Sequence, residues 1–556
     1  MTRRLFLLVP VLLLALGLRL YHVTQVPPSL YYDEVDYGYQ ARSLLTTGHD
    51  YRGELSPFYV HSFNDIRTPI PAYLTVATTF FPLPPELQVR LPFVILGTLT
   101  TLLSILLMYT WTRHYYLSLL TGWVFALSPW QLQFSRWSHE VGTVTPYFLI
   151  GLILFFRFLS SHRFSSYLSA IFFISLTVYT YRTMSLFAPV TLALLSLLYL
   201  KPTLNLGLTR LTGAVLLCGT LVVPFLYFTT LGAPDTPRIQ QLSLTADPTV
   251  PIWVQRNREV DSSDYLAPTI GKKANPASYL FHNKPLSWVT NLVNNYLHSF
   301  STDFLFLKGD LNLRHSLSQR GPLYLIDLVA LFVGLVFLFR HLQFLPFKWL
   351  LVWLFVSPLP AALTADGAGH AARLFIFSVP LLVVVSLGWW QIISRLPHLT
   401  RPLILALGSL SLIFYLHRYH VHYPLESARW FGYGFKQAIT TITPLQAQFD
   451  QVLLTATKDP PMIYYLFWSH TPPAQLQQHG PDFSSPHPAR PLAKYSVLDW
   501  HAGSALQPHT LYLVSPTEIP ADLRNPANIP SHINLHQLIK YPDNEVAFYL
   551  LSLKSP

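Results

Sequence analysis

Leu30–Asp50 reads LYYDEVDYGYQARSLLTTGHD and sets three carboxylates, Asp33, Glu34 and Asp36, directly after the first apolar segment of the chain. An acidic side chain in hydrocarbon costs several kcal/mol, so the cluster belongs just outside a bilayer. Beyond it, Val35, Tyr39, Leu44 and Leu45 recur among polar residues at roughly helical spacing. That spacing predicts a short helix lying along the membrane surface. Gly48 ends it, as a C-cap glycine does. Two chemistries fit the acids. One is base catalysis by a carboxylate pair held on a rigid helix start. The other is capping of that helix and its N-terminal dipole.

The rest of the chain supplies the membrane. Of 556 residues, 51% are hydrophobic and only 11% are charged, and the mean hydropathy is +0.35. Soluble domains carry about 25% charged residues, so the composition is that of an integral membrane protein. The formal net charge of +11 does not signal nucleic-acid binding, because the basic residues are spread through short loops where they set topology. The single cysteine, Cys218, lies in an apolar run, so no internal disulfide forms. The N-terminal MTRRLFLLVPVLLLALGLRLYHV resembles a signal peptide. Its apolar run is long enough to span, and no small-residue cleavage site precedes Pro27, so it reads as an uncleaved first span.

In order, the apolar segments are 5–21, 91–111, 116–132, 144–156, 167–179, 185–200, 211–230, 323–339, 349–363, 374–393 and 402–416. Lys or Arg recurs in each short loop assigned to the inside, the N-terminal Arg3 and Arg4 included. The prediction is a polytopic α-helical protein of about eleven transmembrane helices with a cytoplasmic N-terminus. Long outer loops cover 23–88 and 231–321. Amphipathic pieces fall at 71–81 and 285–300. The membrane domain is residues 1–420. Residues 421–556 form a small extracytoplasmic α/β domain, with a helix at 435–442 and strands at 451–456, 510–515 and 546–551.

This topology gathers ionisable groups from distant stretches on one face: Asp33, Glu34, Asp36, Arg136, His139, Glu140, Arg182, His370 and Arg373. A cavity lined by carboxylates for base work and by arginines for phosphate suits a lipid-phosphate substrate. Each group also has a plainer reading. Arg136 and Glu140 are four apart and fit a local ion pair. His139 fits an interfacial position better than a metal ligand. Arg182 fits a snorkelling residue, and His370 with Arg373 fits simple punctuation of a helix start. The stretch 304–315, FLFLKGDLNLRH, reads as a flap or as an ordered polar loop. No glycine-rich phosphate loop supports ATP-driven transport.

The layout resembles the GT-C membrane glycosyltransferases, above all the protein O-mannosyltransferase-like family 39 enzymes and the lipid A aminoarabinose transferases. The resemblance rests on four features. They are Asp33-Glu34 opening the first outer loop, Arg90-Leu91-Pro92 opening the second span, SPWQLQFSRWSHE at 128–140, and His370-x-x-Arg373 before the tenth span. It implies a multi-pass plasma-membrane enzyme of the cell envelope that takes a polyprenyl-phosphate sugar and inverts its anomeric centre. In that family pattern Asp33 is the general base and Glu34 positions Asp33 or the acceptor. Arg136, Arg182, His370 and Arg373 then hold the donor phosphate. Glu140 stands where some relatives carry a second acidic group, and with Asp33 it offers hard oxygen ligands to a divalent Mg or Mn ion.

Other readings remain open in the sequence. One is a lipid-diphosphate-dependent O-antigen ligase or polymerase. Another is a transporter or flippase of lipid-linked sugars, which would call for internal repeats and broken midplane helices. A third is a membrane scaffold without catalysis. Sugar and acceptor are not encoded in any recognisable motif; lipid, protein and cell-wall glycan all fit as acceptors.

Overall fold

The computed structural model describes residues 2–55, 58–63, 65–230, 242–261, 276–457, 459–479, 495–498, 506–519 and 521–554. All eleven apolar segments are largely helical, and two of them, 116–132 and 349–363, are each divided between two helices. The first nine described helices and two strands are α1 (Thr2–Leu20), α2 (Tyr32–Thr47), β1 (Val60–Ser62), β2 (Asp65–Arg67), α3 (Pro69–Thr79), α4 (Pro85–Thr112), α5 (Tyr115–Leu127), α6 (Pro129–Phe134), α7 (Val144–Ser161), α8 (Phe164–Leu176) and α9 (Met184–Leu198). Among the described residues, six helices are long and apolar enough to cross a membrane: 85–112, 140–161, 208–229, 345–362, 375–395 and 398–431. Four shorter apolar helices lie at 6–20, 115–127, 164–179 and 184–198.

The segment read as one span over 116–132 is two helices. Ser128-Pro129 divides it: proline disfavours helix at the preceding residue and favours the first helical position. The Ser128 hydroxyl accepts the Gln131 N–H at 3.4 Å, which starts α6. Elsewhere helices touch backbone to backbone. Gly334 and Gly388 lie where helices 327–340 and 375–395 cross, and a Cβ on either would overlap a carbonyl oxygen of the other helix. Small residues serve helix contacts in this way where no hydrophobic force distinguishes helix from lipid.

Beyond 417 the chain builds a five-stranded sheet in the order β4-β3-β5-β7-β6, with β3 Gln451–Thr455, β4 Tyr495–Leu498, β5 Thr510–Val514, β6 Ile533–Lys540 and β7 Val546–Leu553. β4, β3 and β5 are parallel, whereas β5-β7 and β7-β6 are antiparallel. Helices Phe435–Leu445, Pro461–Trp468 and Pro473–His479 accompany it. Parallel strands need crossovers, and helices supply them.

Val35 and Tyr39 of α2 do not face a membrane surface, contrary to the spacing argument, whereas Leu45 near its end is 41% exposed. Val35 and Tyr39 are fully buried in one core with Ala438, Ile439, Ile463, Leu466 and Phe467 of the C-terminal domain. Gly38 lies against Phe467 so closely that a Cβ there would come within 2.5 Å of that ring. Three polar links add to the packing. The Tyr39 hydroxyl donates to the Thr471 carbonyl at 3.2 Å, Arg42 donates to the Phe467 carbonyl at 3.2 Å, and Gln477 donates to Thr47 at 2.9 Å. The same periodicity that fits lipid headgroups also fits a protein face, and only the packing tells them apart.

Candidate active site

α2 starts at Tyr32 because Tyr31 is extended and because Glu34 reaches back to cap it. Glu34 Oε2 accepts the Tyr31 N–H at 3.0 Å, the return half of a capping box. Gly48 closes the helix at φ 75°. Within this helix the acids divide by face.

Glu34 points inward and is fully buried. Arg90 of α4 donates to it twice, Nε to Oε1 at 2.8 Å and Nη2 to Oε2 at 3.0 Å. The Ser138 N–H adds 3.0 Å to Oε1. Arg90 spends its remaining donors on the carbonyls of Val23, Pro27 and Ser29. A buried ion pair stands only when its other lone pairs and protons are met, and here both partners are met. The pair therefore ties the start of α2 to α4, to the loop after α1 and to the turn after α6. Glu34 acts on position and offers no free oxygen to an acceptor.

Asp33 and Asp36, three residues apart, look the other way and meet Arg67 at the end of β2. Nη2 lies 2.7 Å from Asp33 Oδ1, Nε lies 2.9 Å from Asp36 Oδ2, and Nη1 lies 3.7 Å from Glu140 Oε1. The Tyr37 hydroxyl donates to Glu140 Oε1 at 2.6 Å. The rings of Tyr32 and Tyr37 flank the guanidinium at 5.3 and 5.7 Å, a cation–π setting. One cation thus serves three carboxylates. Burial pushes the Asp36 carboxyl up, the Arg67 charge only partly offsets it, and the net value is about 7. Burial also pushes Asp33 up, but Arg67, His139 and Arg314 together hold it below the usual carboxylate range. Asp33 is the accessible member: its side chain is 24% exposed, against 14% for Glu140 and none for Asp36.

β2 is held by Arg182, which donates to Asp65 Oδ1 at 2.5 Å and to the Ile66 carbonyl. The Thr68 hydroxyl donates to the Thr180 carbonyl at 3.1 Å just beyond. Arg182 thereby positions Arg67, the residue two further on from Asp65.

The guanidiniums expected to bind phosphate are mostly committed to the protein. Arg136 is 1% exposed and donates to four carbonyls, those of Leu18, Arg19, Tyr21 and Val26 at 2.5, 3.1, 2.7 and 3.1 Å. It caps the C-terminal end of α1, whose last carbonyls lack helical partners. It does not pair with Glu140 either. Arg373 is buried and binds Asp366 with two donors, with a further bond to the Thr364 hydroxyl at 2.6 Å. The sequence reading puts Arg136 and Arg373 on a donor phosphate; the structure engages both side chains within the protein. A Mg or Mn ion between Asp33 and Glu140 meets a similar obstacle, since Arg67 already stands between the two.

His370 and His139 join a cluster. The His370 ring lies 4.8 Å from that of His315, which lies 5.7 Å from that of His139. Burial, then His315 and Arg373, push His370 down to about 3. Burial, then His315, also hold His139 well below the usual imidazole value. Both are neutral near pH 7. The stretch 304–315 is no free flap: Phe304, Leu305 and Phe306 are buried, and Phe304 packs edge-on against Trp130. Its far end carries Arg314 over the Tyr31 ring at 4.0 Å, beside the N-terminus of α2. Arg67 and Arg314 are the two cations the sequence argument left unassigned. Arg67 had one signal, charge balance: an outer loop with three clustered acids calls for a basic partner within it.

No protein-family model matches the chain, and no curated protein matches it in sequence. Two solved structures of ArnT from Cupriavidus metallidurans are similar to it. The apo structure is 13% identical with a TM-score of 0.44, over 99% of this chain and 98% of that one. The structure bound to undecaprenyl phosphate is 13% identical with a TM-score of 0.44, over 98% of this chain and 97% of that one.

Proposed function

We propose that the chain is an inverting glycosyltransferase of the GT-C type that moves a sugar from a polyprenyl-phosphate donor to an acceptor hydroxyl at the outer face of the plasma membrane. The observation that carries this reading is the division of labour on α2. Glu34 is locked into the fold, while Asp33, two residues into the same helix, is ionised, partly exposed and backed by a buried guanidinium. That is how a general base is held ready.

In this reading an Asp33 oxygen takes the proton of the acceptor hydroxyl as the acceptor oxygen bonds to C1 of the sugar. The bond from C1 to the phosphate oxygen breaks on the opposite face, and polyprenyl phosphate leaves with the electron pair. Arg314, rather than Arg136 or Arg373, meets the negative charge that grows on the leaving phosphate, and fixed positive charge aimed at developing charge is the strongest catalytic device available here. The Tyr31 ring at 4.0 Å and the Asn312 amide oxygen, which accepts the Arg314 Nε–H at 3.1 Å, fix the plane of the guanidinium. The neutral imidazole of His370 lies 4.8 Å from the ring of His315, the residue after Arg314.

The test is release of radiolabelled sugar from a polyprenyl-phosphate hexose by purified full-length protein, wild type against Asp33→Asn. Turnover by wild type that is lost in the variant, with donor binding kept, is the expected result. Turnover undiminished in Asp33→Asn overturns the assignment of the base. Turnover only with a lipid diphosphate donor replaces the donor class.

A further inference from the structure

We propose that Asp310, His315 and His370 form a binding site for one divalent transition metal of the zinc class. A ligand atom from each lies within 4.8 Å of those of the other two. Two imidazoles with one carboxylate are a borderline-soft donor set that suits zinc far better than magnesium or calcium, which take oxygen.

The hydrogen bonds around the three residues leave the right atoms free. His315 Nδ1 and Asp310 Oδ2 stand 2.8 Å apart, so one ion can take both in place of the proton they share. Asp310 is fixed in turn by the Ala371 N–H on Oδ2 and the Asn312 N–H on Oδ1, each at 2.9 Å. His370 Nδ1 accepts the Arg373 N–H at 3.4 Å, which leaves Nε2 as its open ligand atom. Neither Nε2 has a hydrogen-bond partner among the described residues. The two rings lie 38° from parallel, and Phe134 stacks on the His315 ring at 5.8 Å.

This site differs in place and chemistry from the Asp33–Glu140 pair, where Arg67 supplies the positive charge. Its ligands come from the 308–320 loop and from the turn before helix 375–395. A bound ion would clamp those two segments together beside Arg314, one residue from a ligand. The site does not depend on the transferase reading, and its readout is metal bound.

The experiment uses full-length protein in detergent, stripped with a chelator and titrated with Co²⁺ and then Zn²⁺. Wild type should take one Co²⁺ per chain with the visible absorption of a nitrogen-ligated ion, and Zn²⁺ should displace it. His370→Ala should abolish the visible band. Asp310→Asn removes one of the three ligands and should weaken binding by more than the about 10- to 100-fold that loss of a merely supporting carboxylate costs. Asp33→Asn should bind as wild type does. A wild-type protein that takes up no stoichiometric Co²⁺ or Zn²⁺ overturns the proposal without reference to any variant. So does a visible band that survives in His370→Ala.

Discussion

Arg67 donates through Nη2 to Asp33 Oδ1 at 2.7 Å, and this ion pair keeps the more exposed carboxylate of α2 charged. The folded value of Asp33 lies below its unfolded one. As the proposed base, Asp33 is therefore ionised above that value, and the proposed activity should be lost only as pH falls through it. Arg67→Lys cannot span Asp33, Asp36 and Glu140 with one point charge. The acidic limb of the pH–rate profile should move to higher pH in this variant, and an unmoved limb counts against Arg67 as the controlling charge.

Removal of the base itself has a size. General base catalysis is worth about 10²- to 10⁴-fold, so Asp33→Asn should lower kcat by that factor. KM for the donor should stay within a few-fold. Single-turnover kinetics with saturating donor measures both.

Asp36 predicts a pH effect on stability with the opposite sign. Its carboxyl rises from 3.8 unfolded to about 7 folded. Between those values the native state holds more protons than the unfolded state, so stability falls as pH rises through that window. Asp36→Asn removes the effect. The melting temperature of wild type relative to Asp36→Asn should decline from about pH 4 to about pH 7 and level off beyond; a flat difference would refute it.

The Glu34–Arg90 pair should matter to stability before chemistry. Arg90→Met leaves the Glu34 carboxylate buried without its cation, at a cost of about 3–5 kcal/mol. Thermal unfolding in detergent should show that loss. Arg90→Met with Glu34→Met should recover part of it, because the buried charge goes as well.

Arg136 and Arg314 should separate fold from donor binding. Arg136→Lys loses most of its four carbonyl contacts and should lower the melting temperature while leaving donor KM unchanged. Arg314→Ala should raise donor KM or lower kcat at little cost in stability. The reverse pattern would restore Arg136 as the phosphate ligand.

Hydropathy and basic-loop spacing made the helices readable, because length and charge at a bilayer are local properties of the chain. The break at Ser128-Pro129 was written in the sequence too, and the apolar run hid it. Asp33 and Glu34 stood out because acids after an apolar span are costly and conspicuous. Their partners did not. Arg67, Arg90 and Arg314 look like any loop or helix-end arginine until distant segments meet. Arg136 shows the converse: it lay where a phosphate ligand belongs, yet the open carbonyls of α1 claimed it. The β4 and β6 strands of the C-terminal sheet escaped for a similar reason, since β6 is half-buried and its pattern is set by neighbours instead of by local alternation.

The docking of helices Pro461–Trp468 and Pro473–His479 on α2 bears on how the protein is made. The Tyr39 hydroxyl and the Thr471 carbonyl that it meets are 432 residues apart. A chain grows at about 5–20 residues per second, so the back of α2 waits on the order of a minute for its cover after it leaves the ribosome. Until then Val35, Tyr39 and the groove at Gly38 face the translocation machinery or lipid, and the acids on the opposite face have no firm backing. The later-made C-terminal sheet domain thus completes a helix made long before it, and a nascent chain that is still membrane-threaded has its spans before α2 is covered.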